Sequence, residues 1–278
     1  MATLYVTDMD GTLLNANSQV SNRTAQIISQ LSHDGALITV ATARTPATVQ
    51  PLLSDTFTRL PAIVMTGASL WDRNNLVYIN PHIIPDLSAR DIKACAHAHG
   101  INLFTYVLDG NGFMNVYHNG HRSQKEFEFI QQRIHLELKH FHLDSDDGLA
   151  PFIPNTILYF AIGARDKIFS LAEDLKASVK CSVSNYVDIF GQNIGILEVF
   201  APNVSKAAAV QALANEYQAD RIVVFGDNLN DIPMMQVADV AIAVGNALPE
   251  VKAIADLVIG DNTDDAVAHF IASDYNAQ

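Results

Sequence analysis

Cysteine is scarce in this chain: Cys95 and Cys181 stand far apart, and no Cys-x-x-Cys pair occurs. Two such residues build neither a disulfide framework nor a paired metal site, which fits a reducing cytosol, and both are expected in the core. Positive charge is also short. Seventeen Lys and Arg face 30 Asp and Glu, giving a formal net charge of −13 and a pI near 5.0. Counterion release therefore opposes binding to nucleic acid or to an anionic membrane surface, and any anionic substrate needs a locally positive site. No apolar run approaches a membrane span, and Asp8 and Asp10 interrupt the N-terminal stretch that a signal peptide keeps apolar. A cytoplasmic location is expected, and the sequons at Asn22 and Asn203 are read as chance. Walker phosphate loop, dinucleotide glycine fingerprint, internal repeat and low-complexity tract are all missing.

What the chain does have is length and apolar content. Its 278 residues, 49% hydrophobic, suffice for one large or two modest domains with buried cores. Strand-like and helix-like segments alternate: Leu4–Thr7, a helix near Arg23–His33 capped by Ser21 and Gly35, Ala36–Ala41, a helix after Thr45, then Ala62–Met65. Such alternation predicts βαβ units and a parallel sheet. The rhythm changes over Ser69–Ile79, where Asp72-Arg73-Asn74-Asn75 separates two apolar stretches as in a hairpin, and a Pro-bearing stretch follows. The next hundred residues carry their own elements, including helices near Ser88–His99, Glu126–His140 and Asp166–Ala177. Alternation resumes with Ile196–Phe200, a helix over Ser205–Gln218, Ile222–Phe225 and Val240–Val244. The predicted architecture is an α/β, Rossmann-like parallel-sheet core formed by 1–83 and 191–278, with an inserted α/β domain over 84–190.

Four segments carry chemistry, each after a predicted strand. Asp8 and Asp10 end the first strand, two apart and so on one side of the chain. Adjacent carboxylates repel unless a cation neutralises them, and Mg²⁺ is the usual hard, oxygen-seeking choice; a solvated turn is the plainer alternative. Thr42-Ala43-Arg44 sets a hydroxyl and a cation at the second strand's end, either to hold phosphate oxygens or simply as a helix cap. Lys206 opens a helix, against the dipole, which suggests an anion nearby. Asp227 and Asp231, within Gly226-Asp227-Asn228-Leu229-Asn230-Asp231, lie four apart and share one face if a helix begins there. Elsewhere the sequence reads plainly. His135, His140 and His142 form a solvated face near a helix end. Asp144–Gly148 is an acidic surface turn, since a calcium loop needs a later glycine and a closing glutamate.

In this order, and with Gly245-Asn246-Ala247 and Lys252 added, the four segments resemble the haloacid dehalogenase-like hydrolases, specifically Cof-like phosphatases with an α/β cap. The resemblance spans essentially the whole chain. It implies Asp8 as nucleophile and Asp10 as general acid, then base, in a reaction through an aspartyl-phosphate. Thr42, Lys206 and Asn230 would bind the substrate phosphate. Mg²⁺ would be held by Asp8, Asp227 and the backbone carbonyl of Asp10, with Asp231 in or just outside that shell. Arg44 is expected to organise the site rather than touch phosphate. The implied activity is hydrolysis of small phosphorylated metabolites such as sugar phosphates, nucleotides or vitamin-derived phosphates, by a monomer or small homo-oligomer. A sugar phosphomutase and a non-catalytic metabolite sensor are the alternatives. A transporting ATPase is disfavoured, because those relatives carry Thr where this chain has Asp10. The sensor reading is motivated by Ala43, Ala207 and Ala266, which stand where relatives commonly have glycine: a positive φ demanded at Ala43 would weaken phosphate binding. Selectivity is expected from loops such as Asp109–Gly112 and Ser184–Tyr186.

Overall fold

A computed structural model describes residues 2–120, 122–187 and 193–277. In the first stretch β1 (Thr3–Thr7) leads through α1 (Asn22–His33) to β2 (Leu37–Val40), α2 (Pro46–Leu52), β3 (Ala62–Val64), β4 (Ser69–Asp72) and β5 (Val77–Ile79). After β5 the chain continues with α3 (Asp86–Ala98), β6 (Phe104–Leu108), β7 (Met114–His118), α4 (Gln124–Gln131), β8 (Lys139–Leu143), β9 (Thr156–Ala164), α5 (Arg165–Ser178), β10 (Ser182–Val187) and β11 (Ile194–Phe200). Beyond β11 come α6 (Lys206–Glu216), β12 (Arg221–Gly226), α7 (Ile232–Met235), β13 (Val240–Ala243), α8 (Pro249–Ile254), β14 (Leu257–Val258) and α9 (Ala266–Asn276).

Two compact units result, one from Met1–Asn80 with Ser205–Gln278, the other from Pro81–Val204. In the first, a parallel sheet has the order β14-β13-β12-β1-β2. Every residue of β1 is buried, as expected of a central parallel strand with helices packed over the sheet. Local signals place the helices around it: Ser21 accepts from the Thr24 amide as the α1 cap, and α9 packs on α1 and β1. Strand order reverses at β1, with β2 on one side and β12 on the other. In an open α/β sheet that reversal opens a crevice at the carboxyl ends of the strands. The hairpin β4–β5 forms as predicted, its turn tied by Asp72 Oδ1 accepting from the Asn74 and Asn75 amides.

The second unit is a six-stranded sheet of order β10-β11-β9-β6-β7-β8. It corrects three sequence expectations. First, Ile196–Phe200 does not resume the core sheet: β11 pairs antiparallel with both β9 and β10, so 193–204 belongs with this unit. The expected boundary between 190 and 191 lies outside the described residues. Ser184–Tyr186 likewise falls within strand β10 rather than in a loop. Second, the helix expected over Glu126–His140 stops at Gln131, and Leu138 at φ 66° redirects the chain into β8. His140 and His142 therefore lie on a strand, His142 half-buried with Nε2 2.8 Å from Asn115 Oδ1. Third, Cys95 and Cys181 are free and only half-buried, not core residues.

Strand β8 also buries a cation. Lys139 is 5% exposed and its ammonium stands 5.4 Å from the Phe141 ring centroid. Among the described residues no carboxylate pairs with it. Burial, with repulsion from Arg133, pushes it down from 10.5 to about 7. A cation whose folded pKa lies below its unfolded value binds fewer protons in the folded state, so stability rises with pH between about 7 and 10.5. Lys139→Met is expected to stabilise this unit by a few kcal/mol near neutral pH, the gain shrinking steadily toward about pH 10. Urea unfolding across that range checks this, and a gain independent of pH would contradict the assignment.

Candidate active site

The predicted site residues emerge at the crevice because of strand register. Thr7 pairs with Val40 of β2 and with Phe225 of β12, so Asp8, Thr42 and Asp227 leave the carboxyl ends of three adjacent parallel strands. Backbone bonds extend the alignment, with the Asp8 amide donating to the Phe225 carbonyl at 3.0 Å and the Ala41 amide to the Thr7 carbonyl at 2.9 Å.

At the centre is Lys206, the first residue of α6 and 2% exposed. Its Nζ lies 2.5 Å from Asp8 Oδ1 and 2.8 Å from Asp231 Oδ1. The other oxygen of Asp231, a fully buried residue, accepts from the Asp227 and Asn228 amides, both at 3.1 Å. Asp231 thus fixes both the lysine and the loop that follows β12. Asp227 is held by Thr12, whose Oγ1 donates to Oδ1 at 2.8 Å. Gly11 presses on the same carboxylate: at φ 81° it has a backbone other residues resist, and a Cβ there would stand 2.4 Å from Asp227 Oδ2.

The charge balance is unfavourable without a further cation. Burial drives the Asp8 carboxyl well above its ordinary range, and nearby Asp231 adds to this despite Lys206. Asp227 is pushed up to about 6, again by burial first, with its Thr12 bond opposing. Burial would lower Lys206, but Asp8 and Asp231 outweigh it and hold the ammonium charged. Carboxylate oxygens from Asp8, Asp227 and Asp231 lie within 4.8 Å of one another. This set of hard oxygen donors, with a surplus of acids over one lysine, fits Mg²⁺.

Other predicted residues are placed differently. The Asp10 carboxylate turns away from this group and binds Arg44 through both oxygens, with Nε–Oδ2 at 2.7 Å and Nη2–Oδ1 at 2.6 Å. Its side chain is 51% exposed. Thr42 is buried, its Oγ1 accepting from the Arg44 amide at 3.1 Å. Asn230 is exposed on the turn before α7. None of Ala43, Ala207 and Ala266 has a positive φ; that geometry falls on other residues, among them Gly11, Met65, Thr66, Gly67 and Asp265. The structural motive for a non-catalytic sensor is thereby removed. Sequence reasoning missed Asn262, whose Nδ2 donates to the Leu14 carbonyl at 2.7 Å, and no local pattern marks it. Thr12 was within reach, since it follows Asp8-Met9-Asp10-Gly11 directly.

A family model described as haloacid dehalogenase-like hydrolase matches residues 5–271. The chain belongs to this family. Among curated hydrolases of this kind, a pyridoxal phosphate phosphatase of Escherichia coli (strain K12) is 26% identical over 96% of each chain. A 5-amino-6-(5-phospho-D-ribitylamino)uracil phosphatase of Bacillus subtilis (strain 168) is 26% identical, covering 96% of this chain and 94% of its own. A crystal structure from Thermotoga maritima shares the fold, with a TM-score of 0.77 at 23% identity over 98% of this chain and 97% of its own. A subclass IIB sugar phosphatase of the family superposes over the whole of both chains, with a TM-score of 0.72 at 17% identity. The chain is accordingly a hydrolase of the haloacid dehalogenase-like type.

Lys206 is the residue on which this hydrolase site stands, since its loss would leave Asp8 and Asp231 buried without a counter-charge. Lys206→Met is expected to cost about 3–5 kcal/mol near neutral pH, read by urea unfolding. A loss below about 1 kcal/mol would mean that the triad is not the anchor described here.

Proposed function

We propose that the protein is a Mg²⁺-dependent phosphatase that hydrolyses small organic phosphate monoesters through an aspartyl-phosphate on Asp8. The observation that carries this reading is Asp8 itself: a buried carboxylate at the end of β1, bonded to the buried Lys206 and grouped with Asp227. Phosphoryl transfer asks for in-line positioning and charge stabilisation more than for elaborate covalent chemistry. Asp8 is held rigidly by the strand behind it and supplies the nucleophilic oxygen, so that one hard displacement becomes two easier ones. Lys206 stays charged and offers its ammonium to the oxygens of the transferring group, while the Thr42 hydroxyl and Asn230 amide take the remaining ones. Asp8, Asp227 and the Asp10 carbonyl would hold Mg²⁺, which would supply the positive charge that the acidic chain otherwise withholds. Asp231 supports that shell from behind, its oxygens already committed to Lys206 and two amides.

Asp10 is the proton carrier. Entering as the carboxylic acid, its partly exposed side chain gives its proton to the leaving oxygen, and the carboxylate that results takes a proton from the water that attacks the aspartyl-phosphate. The Arg44 fork holds it until the ester arrives. The similarity to phosphatases of pyridoxal phosphate and of a phosphoribityl uracil supports a small phosphorylated metabolite as substrate.

The test is hydrolysis of p-nitrophenyl phosphate by the protein and by Asp8→Asn, with Mg²⁺ and with excess chelator. Turnover is expected to require Mg²⁺ and to fall at least about a thousandfold in the variant. Turnover that survives either change would defeat the proposal.

A further inference from the structure

The turn that carries Asp8 and Asp10 is irregular, and its shape is imposed from outside. Between Asp8 and Leu14 the backbone folds back, the Leu14 amide donating to the Met9 carbonyl at 2.8 Å. Inside it, Asp10 (φ −77°, ψ 115°) and Gly11 (φ 81°, ψ −6°) depart from helical values. Two asparagines more than two hundred residues away hold this turn. Asn246 Nδ2 donates to the Gly11 carbonyl at 2.7 Å, and Asn262 Nδ2 donates to the Leu14 carbonyl at 2.7 Å. The two are themselves joined, the Asn262 amide donating to Asn246 Oδ1 at 3.0 Å. That bond fixes which way the Asn246 amide points, because a flipped amide would set oxygen against the Gly11 carbonyl and NH₂ against the Asn262 amide.

We propose that Asn246 and Asn262 form a clamp on the Asp8–Leu14 turn, with Asn246 acting as a positioning residue for phosphoryl transfer. The inference rests on the phosphatase reading above and extends it to residues outside the carboxylate–lysine cluster. Its logic is geometric. Gly11 lies against the Asp227 carboxylate so closely that a single added carbon would collide with it, and the adjacent Thr12 bonds that carboxylate directly. The position of the Gly11 peptide therefore sets where Asp10 stands relative to Asp227. Asn246 is the side chain that pins this peptide. Small misplacements of reacting groups cost rate steeply, whereas an exposed side chain contributes little to global stability, and Asn246 is exposed.

The experiment compares the full chain with Asn246→Ala, Asn262→Ala and the double variant. It measures steady-state kinetics on p-nitrophenyl phosphate with Mg²⁺, thermal midpoint, and amide hydrogen exchange over residues 8–14 without substrate. For Asn246→Ala the expected result is a kcat lower by about tenfold, a KM within about twofold, and a nearly unchanged thermal midpoint. Exchange over 8–14 should quicken while β1 and β12 keep their protection. Because both asparagines act through one turn, the double variant should lose little more rate than the worse single one. Unchanged kcat, or unchanged exchange over 8–14, in Asn246→Ala overturns the clamp. Absence of Asp8-dependent turnover in the parent protein overturns the phosphatase reading, and the positioning role with it. The two failures are distinct, since exchange over 8–14 reports the clamp whether or not the protein turns over.

Discussion

One ammonium group buried between carboxylates organises the core unit. A charge so deep in the protein is tolerable only when paired, and Lys206 is paired twice, with Asp8 from the end of β1 and Asp231 from the loop after β12. Three chain segments distant in sequence are tied at one point. The pairing is incomplete by design of charge: Asp227 joins the same cluster, and one lysine cannot neutralise three carboxylates. The elevated affinity of Asp8 and Asp227 for protons expresses that deficit. A site that lacks positive charge in this way is ready for a divalent cation, and with it for a phosphate ester, despite the acidity of the whole chain.

The placement of these residues was legible in the sequence because it depends on strand ends. An apolar run that stops at Asp8, another that stops before Thr42 and a third that stops at Gly226 each announce a parallel strand whose next residue enters the crevice. Lys206 was legible for a different reason, as a cation where the helix dipole disfavours one. Sequence patterns fared worse where geometry is set by tertiary pairing. Ile196–Phe200 has the composition of any buried strand, and nothing local distinguishes pairing with β9 and β10 from pairing in the core sheet. The stretch after Gln131 kept helix-compatible residues, and the positive φ at Leu138 that ends the matter belongs to a residue type that rarely adopts it.

The acidic cluster and its surrounding turn divide the work between rigidity and adjustability. Asp8, Asp231 and Lys206 are buried and locked by strand, amides and helix. Asp10, by contrast, is half-exposed and held by Arg44. Between them the Gly11 turn has a shape that no regular element enforces, so partners from distant loops must supply it. Asn246 and Asn262 supply it, bonding the Gly11 and Leu14 carbonyls. The small residues Ala43, Ala207 and Ala266, at first sight a departure that might weaken phosphate binding, sit in ordinary backbone and leave this division intact.

The account stands on Asp8 taking the phosphoryl group before water does. The stereochemical course at phosphorus tests it most directly, using a phosphorothioate monoester made chiral with oxygen isotopes. Two successive in-line displacements, first by the Asp8 carboxylate and then by water, predict net retention of configuration. Net inversion would show a single displacement by water and would remove Asp8 from the role of nucleophile.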